Sequence, residues 1–217
     1  VLSKICPNWI ITDLAIMMAG HVSIPIYPNL QKENVKQVLE CSESVLLFVG
    51  KHDNWDGIKG GIPEHIKCVA FPFCENDRCE TWTSFIESHS PIEKFAERNA
   101  DDLCSIVYTS GTAGAPKGAM FTFGAFAFVA QNALKQLGFK GSDRFFSYLP
   151  LSHIAERMLV ELVSVYSGGQ VSFAESLQTF PQNLAEAKPT VFLGVHRIWS
   201  KFQQSILAKV PQKKLNF

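Results

Sequence analysis

Apolar and polar positions follow two different periods along the chain, and these periods divide it into short helical and extended segments. Apolar residues spaced three or four positions apart predict helices at 9–19, 35–39, 81–88, 121–137, 154–166, 180–187 and 198–210. Compact or alternating apolar runs predict strands or extended segments at 21–27, 44–49, 66–71, 103–108, 144–149, 171–174 and 190–194.

Strands and helices that alternate in this order predict an α/β fold, in which parallel-rich sheets are flanked by helices. Ligands of such sheets bind beyond the carboxyl ends of the strands. The charged segment 72–102 contains one predicted helix and would connect two subdomains. We therefore expect a first portion at residues 1–100 and a second at residues 101–217.

The composition is that of a globular protein without a strong overall electric field. The 217 residues are 47% hydrophobic, which is enough to bury a sizeable core. Twenty basic and twenty acidic residues cancel, so we expect no nucleic-acid partner. Six scattered cysteines favour buried thiols in a reducing cytoplasm. Cys74 and Cys79 flank a polar loop, and a bridge or a metal site there is the open alternative.

The longest apolar stretch, residues 119–130, is interrupted by Thr122 and Gly124 and is too short to cross a bilayer. The segment after Val1 carries Lys4 instead of a continuous apolar core, so we expect no signal peptide. These features favour a cytoplasmic location and leave peripheral attachment to a membrane surface open.

The clearest indication of chemistry is the loop that follows the strand predicted at 103–108. It reads Tyr-Thr-Ser-Gly-Thr-Ala-Gly-Ala-Pro-Lys-Gly over residues 108–118. The glycines let backbone N–H groups approach a ligand closely, the hydroxyls add donors, and Lys117 adds a flexible positive charge. This combination predicts a phosphate-binding loop. Its candidate binding residues are Thr109, Ser110, Gly111, Thr112, Gly114 and Lys117.

A Walker A loop does not fit this stretch. That motif needs glycine before the lysine and a hydroxyl residue after it, for magnesium. Here Pro116 precedes Lys117 and has no N–H to donate, while Gly118 follows and has no hydroxyl. The remaining alternative is a solvated glycine-rich turn that binds nothing.

Residues 108–118 resemble the signature YTSGTTGxPKG of the adenylate-forming acyl-CoA synthetases. Ala113 departs from the usual threonine or serine, and Phe123 stands where many relatives carry histidine. Residues 149–157, LPLSHIAER, resemble the LPLxHxxER segment of long-chain members. Residues 189–199 resemble PTVFxxVPRxW, with His196 in place of proline.

This resemblance implies a long-chain fatty acid–CoA ligase that uses ATP, Mg²⁺ and coenzyme A. The fatty carboxylate would attack the α-phosphate of ATP, and coenzyme A would then take the acyl group. The loop would hold the β- and γ-phosphates, and His153 would be the catalytic candidate near the carboxylate. For Glu156 and Arg157 we expect structural pairing with other elements. An adenylating ligase for another carboxylic acid and a non-catalytic scaffold on the same fold are the alternatives.

The resemblance also implies that residues 1–217 are part of an N-terminal AMP-binding domain. The family's aromatic-Gly-Thr-Glu segment, its ribose-binding aspartate and its C-terminal domain with a catalytic lysine have no counterpart in this sequence. We therefore expect the rest of the chain to be the missing partner in catalysis.

From these gaps we predict that residues 1–217 alone bind ATP weakly and do not form acyl-CoA. Charge-assisted hydrogen bonds contribute about 1.5–3 kcal/mol each, but ordering a loop costs about 1–2 kcal/mol per residue. The assay is fatty-acid-dependent exchange of ATP with pyrophosphate, using the purified 217-residue chain. Exchange that Lys117→Ala abolishes would contradict the prediction.

Overall fold

The computed structural model describes residues 1–74, 76–109 and 116–209. The helices are α1 (Pro7–Met18), α2 (Lys32–Cys41), α3 (Asp56–Lys59), α4 (Trp82–Glu87), α5 (Phe123–Leu137), α6 (Ile154–Glu156), α7 (Val163–Ser167), α8 (Phe180–Ala187) and α9 (His196–Lys209). A π-helical segment, Arg157–Leu162, joins α6 to α7. The strands are β1 (Leu46–Val49), β2 (Lys67–Ala70), β3 (Glu80–Thr81), β4 (Leu103–Thr109), β5 (Lys117–Thr122), β6 (Arg144–Ser147) and β7 (Gln170–Phe173).

The strands form an α/β arrangement rich in parallel pairs, which confirms the predicted fold class. β1, β2 and β3 form one parallel sheet in that order, and β6 pairs with β7 in parallel. The pair β4–β5 is antiparallel. The boundary between residues 1–100 and 101–217 stays a prediction, although Leu151 packs into one apolar cluster with Trp9 and Phe48.

The sequence prediction was wrong about the residues directly after the loop. Residues 121 and 122 were assigned to the beginning of a helix, but they are the end of β5, and α5 begins only at Phe123. The strand pairing explains this, because Gly118 lies opposite Tyr108 and a Cβ there would come within 2.6 Å of Ile106 Cγ2. Glycine therefore lets β5 pack closely against side chains of β4.

Two other predicted strands are reduced to isolated bridges. In the first, Ser23 pairs with Ser105 of β4 and Ile26 pairs with Leu2; in the second, Val191 pairs with Phe145 of β6. Pro25 lies inside the first of these segments and has no N–H to extend a ladder. These contacts still attach each segment to a sheet.

The core follows the predicted apolar faces with some exceptions. The largest cluster packs α2 against β1 and β2; its fully buried members include Val35, Val38, Leu39, Leu47 and Val49. Met17 is buried as predicted, but Met18 and Phe128 are exposed. Only Cys68 and Cys104 are buried among the six cysteines, so the expectation of mostly buried thiols was wrong. Within the described residues, no helix combines the length and the apolar character needed to cross a membrane.

Candidate functional site

The two ends of the predicted phosphate loop are held together by β4 and β5. Thr109 ends β4, Lys117 begins β5, and the two residues are register partners. The Thr109 hydroxyl donates to the Lys117 carbonyl at 3.5 Å, and both side chains are exposed. Ser110, Gly111, Thr112 and Gly114 lie outside the described residues. The prediction that the loop leaves the carboxyl end of a strand is confirmed.

His153 lies on another element, immediately before α6. Its Nδ1 accepts from the N–H of Ala155 at 3.2 Å, so it caps the amino end of the helix. Accepting at Nδ1 places the proton of a neutral ring on Nε2. The side chain is exposed. A catalytic role for His153 stays a prediction.

Glu156 lies three residues further and is completely buried. Its Oε1 accepts from the Ser147 hydroxyl at 2.8 Å and from the Tyr148 N–H at 2.9 Å. Its Oε2 has no hydrogen-bond partner among the described residues. Burial raises the pKa of Glu156 from 4.5 to about 7, against the effect of these hydrogen bonds. Near neutral pH the Glu156 side chain is therefore partly protonated and partly ionised.

Arg157 is the centre of the buried polar groups, and none of its surface is exposed. Its guanidinium donates to both carboxylate oxygens of Asp13, at distances of 2.6 to 3.0 Å. Nη1 also donates to the Ser105 hydroxyl. The rings of Trp9 and Phe126 lie 5.8 and 5.0 Å from the guanidinium carbon. A bidentate ion pair and two aromatic faces thus compensate for the buried charge.

This network connects the two predicted site segments. Ser105 lies on β4, four residues before Thr109, and Arg157 lies four residues after His153. The Ser105 hydroxyl donates to the carbonyl of Ser23, whose own hydroxyl donates to Asp13. The positions of the loop strand and of the helix capped by His153 are therefore set by shared hydrogen bonds.

Glu161 occupies the same interior, one π-helical turn after Arg157. Its Oε2 lies 3.8 Å from Arg157 Nε, and neither of its oxygens has a hydrogen-bond partner among the described residues. Burial raises the pKa of Glu161 far above 4.5, the charge of Asp13 raises it further, and Arg157 opposes both effects. The protonated form of Glu161 is therefore favoured, and Asp13 is the carboxylate that pairs with Arg157.

The sequence predicted some of these contacts and missed others. The expected pairing of Arg157 with another element is confirmed by Asp13 of α1. For Glu156 the structure gives hydrogen bonds to Ser147 and Tyr148 instead of an ion pair. Asp13 was missed, although an acidic residue within an otherwise apolar helix was a signal for a buried partner.

Two departures from the family pattern lie at helix starts. Phe123 is the first residue of α5, and His196 is the first of α9. Within 1–74, 76–109 and 116–209, no three His, Cys, Asp or Glu side chains are arranged to hold a metal ion.

Comparison with known proteins gives consistent matches. The profile of the family described as AMP-binding enzyme matches residues 1–216. Human long-chain-fatty-acid–CoA ligase ACSBG2 is 30% identical over 92% of this chain and 32% of its own length. Long chain acyl-CoA synthetase 2 of Arabidopsis thaliana is 28% identical over 97% of this chain and 34% of its own length. The chain thus spans about a third of the length of these curated relatives.

Solved structures share the fold at lower identity. The anthranilate CoA ligase AuaEII, solved with anthranoyl-AMP, has a TM-score of 0.77 and 22% identity, covering 88% of this chain and 38% of its own. ATP-bound MatB from Rhodopseudomonas palustris has a TM-score of 0.75 and 22% identity, covering 92% and 39%. These likenesses support the fold.

Removing one member of the Arg157–Asp13 pair should destabilise the protein more than the pair itself stabilises it. Arg157→Met leaves a buried carboxylate without a counter-charge, and Asp13→Asn leaves a buried guanidinium. We expect each to lower the free energy of unfolding by about 3–5 kcal/mol. The double variant should lose less than the sum, because neither charge is then left unpaired.

The measurement is urea unfolding of the four proteins, followed by tryptophan fluorescence. The exposed pair Lys36–Glu40, with its ions 3.7 Å apart on α2, serves as the control cycle. Its coupling should stay below about 0.5 kcal/mol. Strictly additive costs at Arg157 and Asp13 would contradict the assignment.

Glu156→Gln should flatten the dependence of stability on pH. Because burial raises the pKa of Glu156 to about 7 from 4.5, the folded protein binds a proton that the unfolded chain has released. The stability contributed by this proton is complete below the unfolded pKa and is lost as the pH rises through the folded pKa. The whole effect is at most about 3 kcal/mol.

Glutamine keeps the acceptor for Ser147 and Tyr148 but cannot ionise. We expect it to be nearly neutral at about pH 5 and to stabilise relative to Glu156 at about pH 8, measured as urea unfolding at both values. Glu33→Gln, at an exposed position of α2, should retain the parental slope. Parallel curves for Glu156→Gln and the parent would show that Glu156 does not titrate in this range.

Proposed function

Because the chain belongs to the AMP-binding enzyme family, we propose that the complete protein is an ATP-dependent long-chain fatty acid–CoA ligase. The observation that carries this proposal is the β4–β5 pair, which places Thr109 and the cationic Lys117 opposite each other. Between them lies a sequence rich in glycines and hydroxyls that matches the family signature. The curated relatives with long-chain-fatty-acid names support the substrate class.

The reaction brings together two anions, the carboxylate and ATP, so the loop would have to neutralise negative charge. A carboxylate oxygen attacks the α-phosphorus of ATP, the bond to pyrophosphate breaks, and an acyl-adenylate forms. The sulfur of coenzyme A then attacks the acyl carbon, and AMP leaves. Lys117 and the loop N–H groups would neutralise charge that develops on the departing pyrophosphate. Thr109, Ser110, Gly111, Thr112 and Gly114 would complete this grip.

His153 would face the carboxylate, and the buried network would set its position. The imidazole is oriented by the Ala155 N–H, and the helix behind it is anchored through Arg157 to Ser105 on the loop strand. We assign Arg157 and Ser105 as positioning residues. No step is assigned to Mg²⁺.

Other parts of the proposal concern the whole protein. Residues 1–217 would form part of an N-terminal AMP-binding domain, with residues 1–100 as a first subdomain portion. The remainder of the chain would supply the ribose contact and the residues for thioester formation. A cytoplasmic protein, with or without attachment to a membrane surface, fits this substrate.

The second candidate is a ligase for a different carboxylic acid. It is favoured by the fold shared with AuaEII, an anthranilate CoA ligase. The two candidates differ only in which acid supports exchange of ATP with pyrophosphate. A scaffold without catalysis would support no exchange with any acid.

The test is ATP–pyrophosphate exchange by the full-length chain, with palmitate, anthranilate and acetate compared. We expect palmitate to support the fastest exchange. Lys117→Ala should lower that rate about 10²–10³-fold, because one preorganised charge at the phosphates is lost. Lys117→Arg should be less damaging, although its planar group does not reproduce an ammonium.

The matched control is Lys36→Ala, which removes an exposed lysine of α2 and should leave the rate unchanged. Exchange that prefers anthranilate would support the second candidate. Palmitate-dependent exchange that stays at the parental rate in Lys117→Ala would show that this loop does not hold the leaving group.

A further inference from the structure

Two cysteines lie close to each other away from the phosphate loop, Cys68 on β2 and Cys79 directly before β3. β2 and β3 are parallel, with Val69 opposite Glu80 and Ala70 opposite Thr81. One position earlier on both chains, Cys68 therefore lies beside Cys79. Adjacent strands are about 4.8 Å apart, and disulfides form between Cα atoms separated by about 4.4–6.8 Å. The spacing of adjacent strands is thus compatible with a disulfide between the two cysteines.

The two cysteines differ in their exposure to solvent. Cys68 is buried, and Cys79 is partly exposed and packs against the apolar cluster that contains Cys68. The backbone N–H of Cys79 donates to Asn76 Oδ1 at 3.1 Å, which fixes the turn before β3. Cys79 is therefore the more exposed residue of the pair.

The pair also favours a reactive thiolate. A hydrogen bond with the Cys79 thiol lowers the pKa of Cys68 to about 6, with further lowering by Arg78 and opposition from burial. The same hydrogen bond raises the pKa of Cys79. Cys68 is therefore the thiol of the pair that ionises more readily, and a thiolate is the species that reacts with oxidants.

We propose that Cys68 and Cys79 form a redox-active dithiol, which a peroxide converts to a disulfide between β2 and β3. The Cys68 thiolate attacks one peroxide oxygen, the O–O bond breaks, and the leaving hydroxide takes up a proton to become water. The Cys79 sulfur then attacks the resulting sulfenic acid, its S–O bond breaks, and a second water leaves with the thiol proton. Two thiols are oxidised to one disulfide, and one hydrogen peroxide is reduced to two waters.

This assignment replaces the pairing that the sequence suggested between Cys74 and Cys79. All six cysteines are free thiols in the structure. Burial raises the pKa of Cys74, and the neighbouring groups that affect it are Cys6 and Lys51. The thiol that shifts the pKa of Cys79 is Cys68. The β2–β3 register thus selects a more distant residue in sequence as the partner.

The test is oxidation of the full-length chain with hydrogen peroxide, followed by blocking of free thiols and tryptic mass spectrometry without reductant. Cleavage after Lys67, Arg78 and Lys94 separates residues 68–78 from residues 79–94. We expect these two peptides to be linked, with the loss of two hydrogen masses, and to separate after reduction. Because residues 68–78 also contain Cys74, the deciding protein is Cys74→Ser, in which the link should persist.

Cys68→Ser and Cys79→Ser should each abolish the linked peptide. In Cys79→Ser, dimedone should label Cys68 as a sulfenic acid, which distinguishes a missing partner from an unreactive thiol. Cys41→Ser, at an exposed cysteine of α2, is the matched control and should form the link normally. Circular dichroism checks that each variant is folded.

Loss of the link in Cys74→Ser would overturn the proposal, and so would its persistence in Cys68→Ser. Absence of the link in the parent after peroxide treatment would overturn it as well. These readouts are independent of ligase activity. Failure of the dithiol therefore leaves the proposed function untouched, and the reverse also holds.

Discussion

The buried guanidinium of Arg157 is the constraint on which the arrangement of the site depends. Moving an ion out of water costs several kcal/mol even after the protein relaxes, so the charge persists only with partners that are held in place. Asp13 supplies the opposite charge, Ser105 an oxygen, and two aromatic rings their faces. These partners come from separate parts of the chain. The interactions that compensate for the charge of Arg157 therefore fix how α1, β4 and the segment after His153 lie against one another.

The same constraint explains why two further carboxyl groups can be buried nearby. Asp13 already balances Arg157, so a second anion would be uncompensated, and the pKa of Glu161 is raised in favour of its protonated form. Glu156 does not pair with Arg157; its carboxyl group accepts hydrogen bonds from the Ser147 hydroxyl and the Tyr148 N–H at the end of β6. The interior therefore carries one strong ion pair and two groups whose protonation depends on their surroundings.

Local patterns predicted the parts of the fold that depend on nearby residues. Gly138 and Gly168 end their helices in the left-handed conformation, and the α/β order follows from the spacing of apolar positions. Residues 121 and 122 were wrongly assigned to a helix because their apolar run fits a helix as well as a strand, and only pairing with β4 decides between them. The partnership of Asp13 with Arg157 joins residues 144 positions apart, and no local signal encodes such a distance.

The antiparallel pair that carries Thr109 and Lys117 has an energetic consequence for any anion held between them. A segment free at one end must lose the freedom of its whole length when it wraps around a ligand. Here the hydrogen bonds between β4 and β5 already hold Thr109 and Lys117 together in the folded protein. The entropy cost of bringing these two positions together is therefore part of folding and does not reduce the binding free energy. Substitutions that weaken the pairing of β4 with β5 would therefore also weaken the binding of such an anion, even where the substituted residue does not contact it.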